Sequence, residues 1–176
     1  MKFFAFFLLP LAAFATSNDE NFPNRDQVFQ AMQEIYVAMA KGQAPALKSE
    51  VQYFQGSCLT SWSSVKKPQN YSAVVALAAT EEGIYSITYS TITGGNTPSF
   101  GRDDLAKLGK LYTPKAKPYQ VVKNDLGGEI VEFTIAEATP SFPKIMAYLS
   151  VEKENPNRMN FVAALMGFYC QLDRVQ

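Results

Sequence analysis

The chain has 176 residues, 47% apolar and 13% aromatic, enough to bury the core of one ordinary domain. Sixteen basic side chains balance sixteen acidic ones, and the longest basic run is Lys66-Lys67 beside Pro68, so the basic stripe of a nucleic-acid-binding protein is missing. Histidine is absent altogether, which excludes Ser-His-Asp catalysis and removes the usual zinc ligand.

The chain opens with "MKFFAFFLLPLAAFATS". One positive residue, Lys2, precedes an apolar run from Phe3 to Leu11, and Ala13 and Ala15 then form a small-x-small pattern. This reads as a signal peptide over residues 1–15, cleaved between Ala15 and Thr16. The run is shorter than the roughly 20 residues a bilayer-spanning helix needs. No later segment of the mature chain is long and apolar enough to cross as a helix. The expected product is a periplasmic or extracellular protein, with residues 16–176 forming a single domain.

The first element of that domain is a helix at about residues 25–41. In "NRDQVFQAMQEIYVAMAKG" the apolar residues Val28, Phe29, Met32, Ile35, Tyr36 and Met39 recur at helical spacing, while Gln30, Gln33, Glu34 and Lys41 lie on the opposite face. Asn24 is the expected N-cap, Asp26 suits the positive end of the dipole, and Lys41-Gly42 is the expected stop.

From about residue 50 to 172 the texture is β. "EVQYFQGSCLTSW" reads as a first strand, with Gly56 expected at a bulge or bend. "YSAVVALAA" and "GIYSITYSTIT" flank "TEEG" as a hairpin turning at Gly83, and Tyr85, Ile87 and Tyr89 share one face. "RDDLAKLGK" then suggests a solvated helical turn. "YQVVKND" and "EIVEFTIAE" flank Gly127-Gly128 as a second hairpin, with Val131, Phe133 and Ile135 facing one way and Glu132 and Thr134 the other. "KIMAYLSVEKE" is a further strand, ended by the turn "NPN".

The segment "PNRMNFVAALMGFYCQLD", residues 156–173, fits two descriptions. Phe161, Leu165, Phe168, Tyr169 and Leu172 fall on one helical face. Against a helix, Gly167 interrupts the pattern at a cost of about 1 kcal/mol relative to Ala, and the preceding strand and tight turn call for an antiparallel partner. A strand buried on both faces also lacks clean alternation. The strand is therefore the expected state.

The two cysteines, Cys58 and Cys170, fall on the first and last strands. In an oxidising compartment they have only each other to pair with, and no histidine or C-x-x-C neighbour suggests metal or thiol chemistry. A bond between them requires Cα atoms within about 7 Å, so the sheet must curl back on itself. The expected fold is α+β. An N-terminal amphipathic helix packs on a strongly curved or barrel-like antiparallel sheet of seven or eight strands, either plugging one opening or lying on the concave face.

Candidate chemistry is sparse. Phosphate-binding and dinucleotide glycine patterns are missing, and "TITGGNTPSFG" reads as a surface loop. The acidic pairs Glu81-Glu82, Asp103-Asp104 and Glu129 with Glu132 should diverge rather than converge on a substrate, and no EF-hand spacing is present. "NYS" at Asn70 matches the glycosylation pattern, relevant only in a eukaryotic secretory route. No cofactor or metal is expected, and no residue qualifies as catalytic. The reading is a non-catalytic binding module whose curved sheet contacts an apolar small molecule or another envelope protein. The alternatives are a carboxylate- or Ser/Lys-dependent hydrolase and a purely structural envelope protein.

Overall fold

The periodic stretch before Gly42 becomes helix α1, Arg25–Lys41, in the computed structural model, which describes residues 25–46, 48, 50–60, 71–79, 85–93, 103–104 and 117–176. The expected signal sequence, the Asn24 cap, Gly83, Glu81-Glu82 and Asn70 lie outside the described residues. Met32 and Met39 are buried along the expected stripe, and Gln30, Gln33, Glu34 and Lys41 are exposed on the other face. Among the described residues no helix is long and apolar enough to cross a membrane.

Among the described residues eight antiparallel strands follow. They are β1 (Gln52–Thr60), β2 (Tyr71–Ala79), β3 (Tyr85–Thr93), β4 (Lys117–Lys123), β5 (Glu129–Ala136), β6 (Ile145–Val151), β7 (Arg158–Ala163) and β8 (Phe168–Val175). Each pairs with the next, and β8 returns to β1, so the sheet closes on itself. The β1–β8 seam is long, running in register from Tyr53↔Val175 to Thr60↔Phe168. The β3–β4 seam is the narrow one, joined at Ser86↔Pro118 and Ile87↔Lys117. Closure removes the two free edges that an open sheet of this length would expose.

Cys58 and Cys170 are direct cross-strand partners in the β1–β8 register, and they are bonded across a sequence separation of 112 residues. Their Cα atoms are 4.0 Å apart, the close spacing of a non-hydrogen-bonded antiparallel pair. The disulfide thus staples the first strand to the last, inside the barrel. In the chain-entropy account a loop of this length stabilises by up to about 5 kcal/mol.

Strand alternation sorts the side chains into two cores. The inward row contains Phe54, Val75, Val131, Phe133, Leu149, Met159, Phe161 and Leu172, all buried. Phe133 and Phe161 face each other with ring centroids 6.1 Å apart. The β3 register sets Ile87 opposite Leu77 and Tyr89 opposite Val75. A second, smaller core lies outside the wall, where Met39 and Ile35 of α1 meet Ile130, Tyr148 and Val162.

The helix therefore packs on the outer face of β5–β8, and the expectation of a plug or a concave-face helix is corrected. The reason is volume. Among the described residues the inward side chains of β1, β2 and β5–β8 already pack into one cluster, while β5–β8 carry apolar residues on both faces and need a cover on the outside.

Two local expectations also change. The segment after "NPN" is β in character but breaks into two strands, β7 and β8, joined by a short 3-10 turn over Ala164–Met166. Gly167 supplies the left-handed residue at the break, with φ 64°. The helical stripe that included Leu165 is an accident of this break, since Leu165 is 59% exposed. Gly56 marks no bulge, because β1 keeps continuous register through it with both neighbours. A Cβ there would overlap the Gln171 carbonyl oxygen, so its glycine lets β8 approach.

Candidate functional site: the two ends of the barrel

Strand direction divides the connections between two ends. Residues 80–84, 124–128 and 152–157 link β2–β3, β4–β5 and β6–β7 at one end. Residues 61–70, 94–116, 137–144 and 164–167 link β1–β2, β3–β4, β5–β6 and β7–β8 at the other. The first set is uniformly short and the second includes the long connections. Recognition residues in barrel scaffolds concentrate on such loops, because a loop can vary without disturbing the wall that holds it.

The short-turn end holds the fold together. The last carbonyls of α1 lack helical partners, and the barrel supplies them. Ser150 Oγ donates to the Met39 carbonyl at 2.7 Å, and Asn124 Nδ2 donates to the Ala40 carbonyl at 2.6 Å. The Glu129 amide donates to the Gly42 carbonyl at 3.2 Å, and Gln43 and Val151 exchange two backbone bonds of 2.9 Å. Asn124 also shapes its own turn, its Oδ1 accepting from the Leu126 and Gly128 amides, while Gly127 takes φ 78°. Gly128 has no room for a side chain, because a Cβ would overlap the Ala40 carbonyl oxygen.

A shallow groove of about 320 Å³ opens beside this latch, between Gln43, Asn124, Glu129 and the lysines Lys123 and Lys153. Three of its polar side chains are engaged: Lys123 lies 3.6 Å from Glu129, and Asn124 holds the helix end. The groove is a by-product of the latch.

The loop-bearing end presents apolar side chains to solvent. In the β5–β6 connection Thr139 and Phe142 exchange two backbone hydrogen bonds, of 2.8 and 3.2 Å, around Pro140-Ser141. This tight turn displays Phe142 at 59% exposure between two prolines. Its neighbour across the β6–β7 pairing is the turn carrying Leu165, closed by the Gly167 amide donating to Ala164 at 2.9 Å. Sequence reading missed both positions. "TPSFPK" held the signal, an aromatic residue bracketed by prolines between two strands.

The candidate acids do not converge. Glu129 is exposed at the start of β5 and pairs with Lys123, whereas Glu132 lies on the opposite strand face and accepts from Gln120 at 2.6 Å. Asp103 and Asp104 are exposed on helical backbone. Among the described residues no three His, Cys, Asp or Glu side chains gather to hold a metal.

The other titratable cluster lies beside α1 on the outer wall. Burial, then the charge of Glu132 and the nearby Tyr36 phenol, push the Tyr148 phenol up to about 12. Burial followed by Tyr36 also raises Tyr169. Both groups stay neutral at physiological pH and pack against the helix, so their role is structural.

No protein-family model, curated protein or solved structure matches the chain.

Proposed function

We propose that the protein is an exported, non-catalytic binding protein that makes its contact through the loop-bearing end of the barrel. The observation that carries this reading is the segregation of the two ends. Contacts that lock the helix to the wall gather at the short turns, which also expose Leu126, and the opposite end keeps the long connections together with an exposed apolar pair, Phe142 and Leu165, that takes no part in the latch. The signal-like residues 1–15 support export, and the Cys58–Cys170 bond is of the kind that persists in oxidising compartments.

The inward row argues against a small apolar ligand carried within the sheet. Among the described residues, Phe54, Phe133, Phe161, Leu149, Met159 and Leu172 are fully buried and belong to one packed cluster, so this part of the interior is occupied by the protein's own side chains. The outer wall of β1 and β8 interrupts Tyr53, Leu59, Tyr169 and Val175 with Gln55, Ser57, Gln171 and Asp173, where a membrane-spanning barrel would carry a continuous lipid-facing apolar band. An end-on contact with a partner surface uses what both rows leave free.

Site-directed photo-crosslinking in the native host tests the reading. Cross-linkers at Phe142 and Leu165 should capture material, and those at Leu126 and Lys153 should not. Capture only from the short-turn end would overturn the assignment. An intact Met1 in the purified native protein would overturn export.

A further inference from the structure

We propose that Met146 is an oxidation-sensitive catch on helix α1: peroxide converts it to the sulfoxide, Thr134 binds the new oxygen, and the middle of the helix loosens from the wall while its last turn stays latched.

The methionines on described backbone differ in reach. Met32, Met39 and Met159 are 4%, 2% and 0% exposed, whereas Met146 and Met166 are half-buried. An oxidant in solution meets the second pair first. Met146 is set apart by its neighbour. Thr134 is its direct partner across the β5–β6 register, on the outer face, and Thr134 Oγ1 donates to Met146 Sδ at 3.5 Å. Met166 lies on the turn before β8 and packs against the inner core, whereas Met146 packs against the outer core that α1 covers.

The chemistry is a two-electron transfer. A sulfur lone pair attacks one oxygen of hydrogen peroxide, and the S–O bond forms as the O–O bond breaks. The departing hydroxide takes the proton of the transferred oxygen and leaves as water. The thioether is oxidised to the sulfoxide and peroxide is reduced. A thioether sulfur accepts hydrogen bonds weakly. The polar sulfoxide accepts them well, so the hydroxyl that meets sulfur before the reaction is placed to meet oxygen after it.

The consequence follows from how α1 is held. Ser150, Asn124 and the Glu129 amide grip the carbonyls of Met39, Ala40 and Gly42 at the end of the helix. One turn earlier, Ile35 packs, as Met146 does, against the small cluster of Met39, Ile130, Tyr148 and Val162. Making one border of that cluster polar weakens the hold on the middle of the helix and leaves the latch intact. The opening is local. It uncovers Met32, so oxidation runs in order, Met146 before Met32.

Peptide mapping and hydrogen exchange on the purified full chain treated with hydrogen peroxide test this. Met146 should gain oxygen at least about tenfold faster than Met39 or Met159. Once it has, the amides of Met32 to Tyr36 should exchange about tenfold faster, while those of Gln43 and Val151 stay protected. Met146→Leu should abolish the acceleration and Met166→Leu should leave it in place. In Thr134→Val the sulfoxide loses its donor, so oxidation should lower the melting temperature by more than it does in the parent. Methionine sulfoxide reductase should restore slow exchange. Unchanged exchange in α1 after Met146 is oxidised, or an acceleration that survives Met146→Leu, would overturn the inference. So would an equal fall in melting temperature with and without the Thr134 hydroxyl, or Met39 and Met159 oxidising as fast as Met146.

Discussion

Hairpin turns join strands at both ends of this barrel, and they are put to different uses. At the short-turn end, hydrogen-bonding capacity is spent on other parts of the molecule. Asn124 reaches the helix, Ser150 reaches Met39, and Gln43 adds a bridge to Val151. At the loop-bearing end the described turns bond only to themselves, as in Thr139 with Phe142 and Gly167 with Ala164. The first arrangement couples a turn to the global fold. The second leaves the turn free to meet something else at little cost to stability.

Substitutions should reproduce this asymmetry. The largest effect belongs to the staple that both ends share. Cys58→Ser should cost roughly 3–5 kcal/mol and lower the melting temperature sharply, and the double Cys58→Ser, Cys170→Ser variant should be no worse than either single change. Non-reducing peptide mapping checks the bond itself. Next comes Gly128→Val, which drives a side chain into the Ala40 carbonyl; a loss of about 3 kcal/mol in denaturant unfolding is expected. Asn124→Ala removes the bond to Ala40 and the two that shape the turn, for about 1–2 kcal/mol. At the opposite end, Phe142→Ser should change stability by less than about 0.5 kcal/mol. If Phe142→Ser costs as much as Asn124→Ala, the two ends do not differ in the way described.

Alkaline titration probes the helix-covered wall between the ends. Tyr148 holds its proton more tightly folded than unfolded, so its contribution is fully present below pH 10 and is lost as pH rises towards about 12. Stability should fall across that window, and phenolate absorbance should lag behind that of free tyrosine. Phe substituted for Tyr148 should flatten the loss.

Much of this fold was legible in the residues. The α1 stripe, the β4–β5 hairpin at Gly127-Gly128 and the pairing of two cysteines with no other possible partner each rest on local chemistry. The helix's position was not legible from amphipathicity, because an apolar stripe tells that a helix is covered without telling by which face of the sheet. The clue lay in the strands: "KIMAYLSV" and "MNFVAA" are apolar on both parities, and such strands need a cover on each side. The break at Gly167 was visible as a defect in a helix and is instead the left-handed residue of a turn. The candidate site was the least legible part. Phe142 and Leu165 look like core residues until topology places their turns at one end and leaves them uncovered.

Backbone hydrogen exchange resolved to single residues tests the division between the ends most directly. The Gln43, Glu129 and Val151 amides, bonded between α1 and the barrel, should exchange only through global unfolding and slow together with the β1 and β8 strands. The Thr139, Phe142 and Gly167 amides should exchange through local opening, orders of magnitude faster, in the same disulfide-bonded sample. Equal protection at the two sets of turns would contradict the account, because the loop-bearing end would then be part of what holds the barrel together.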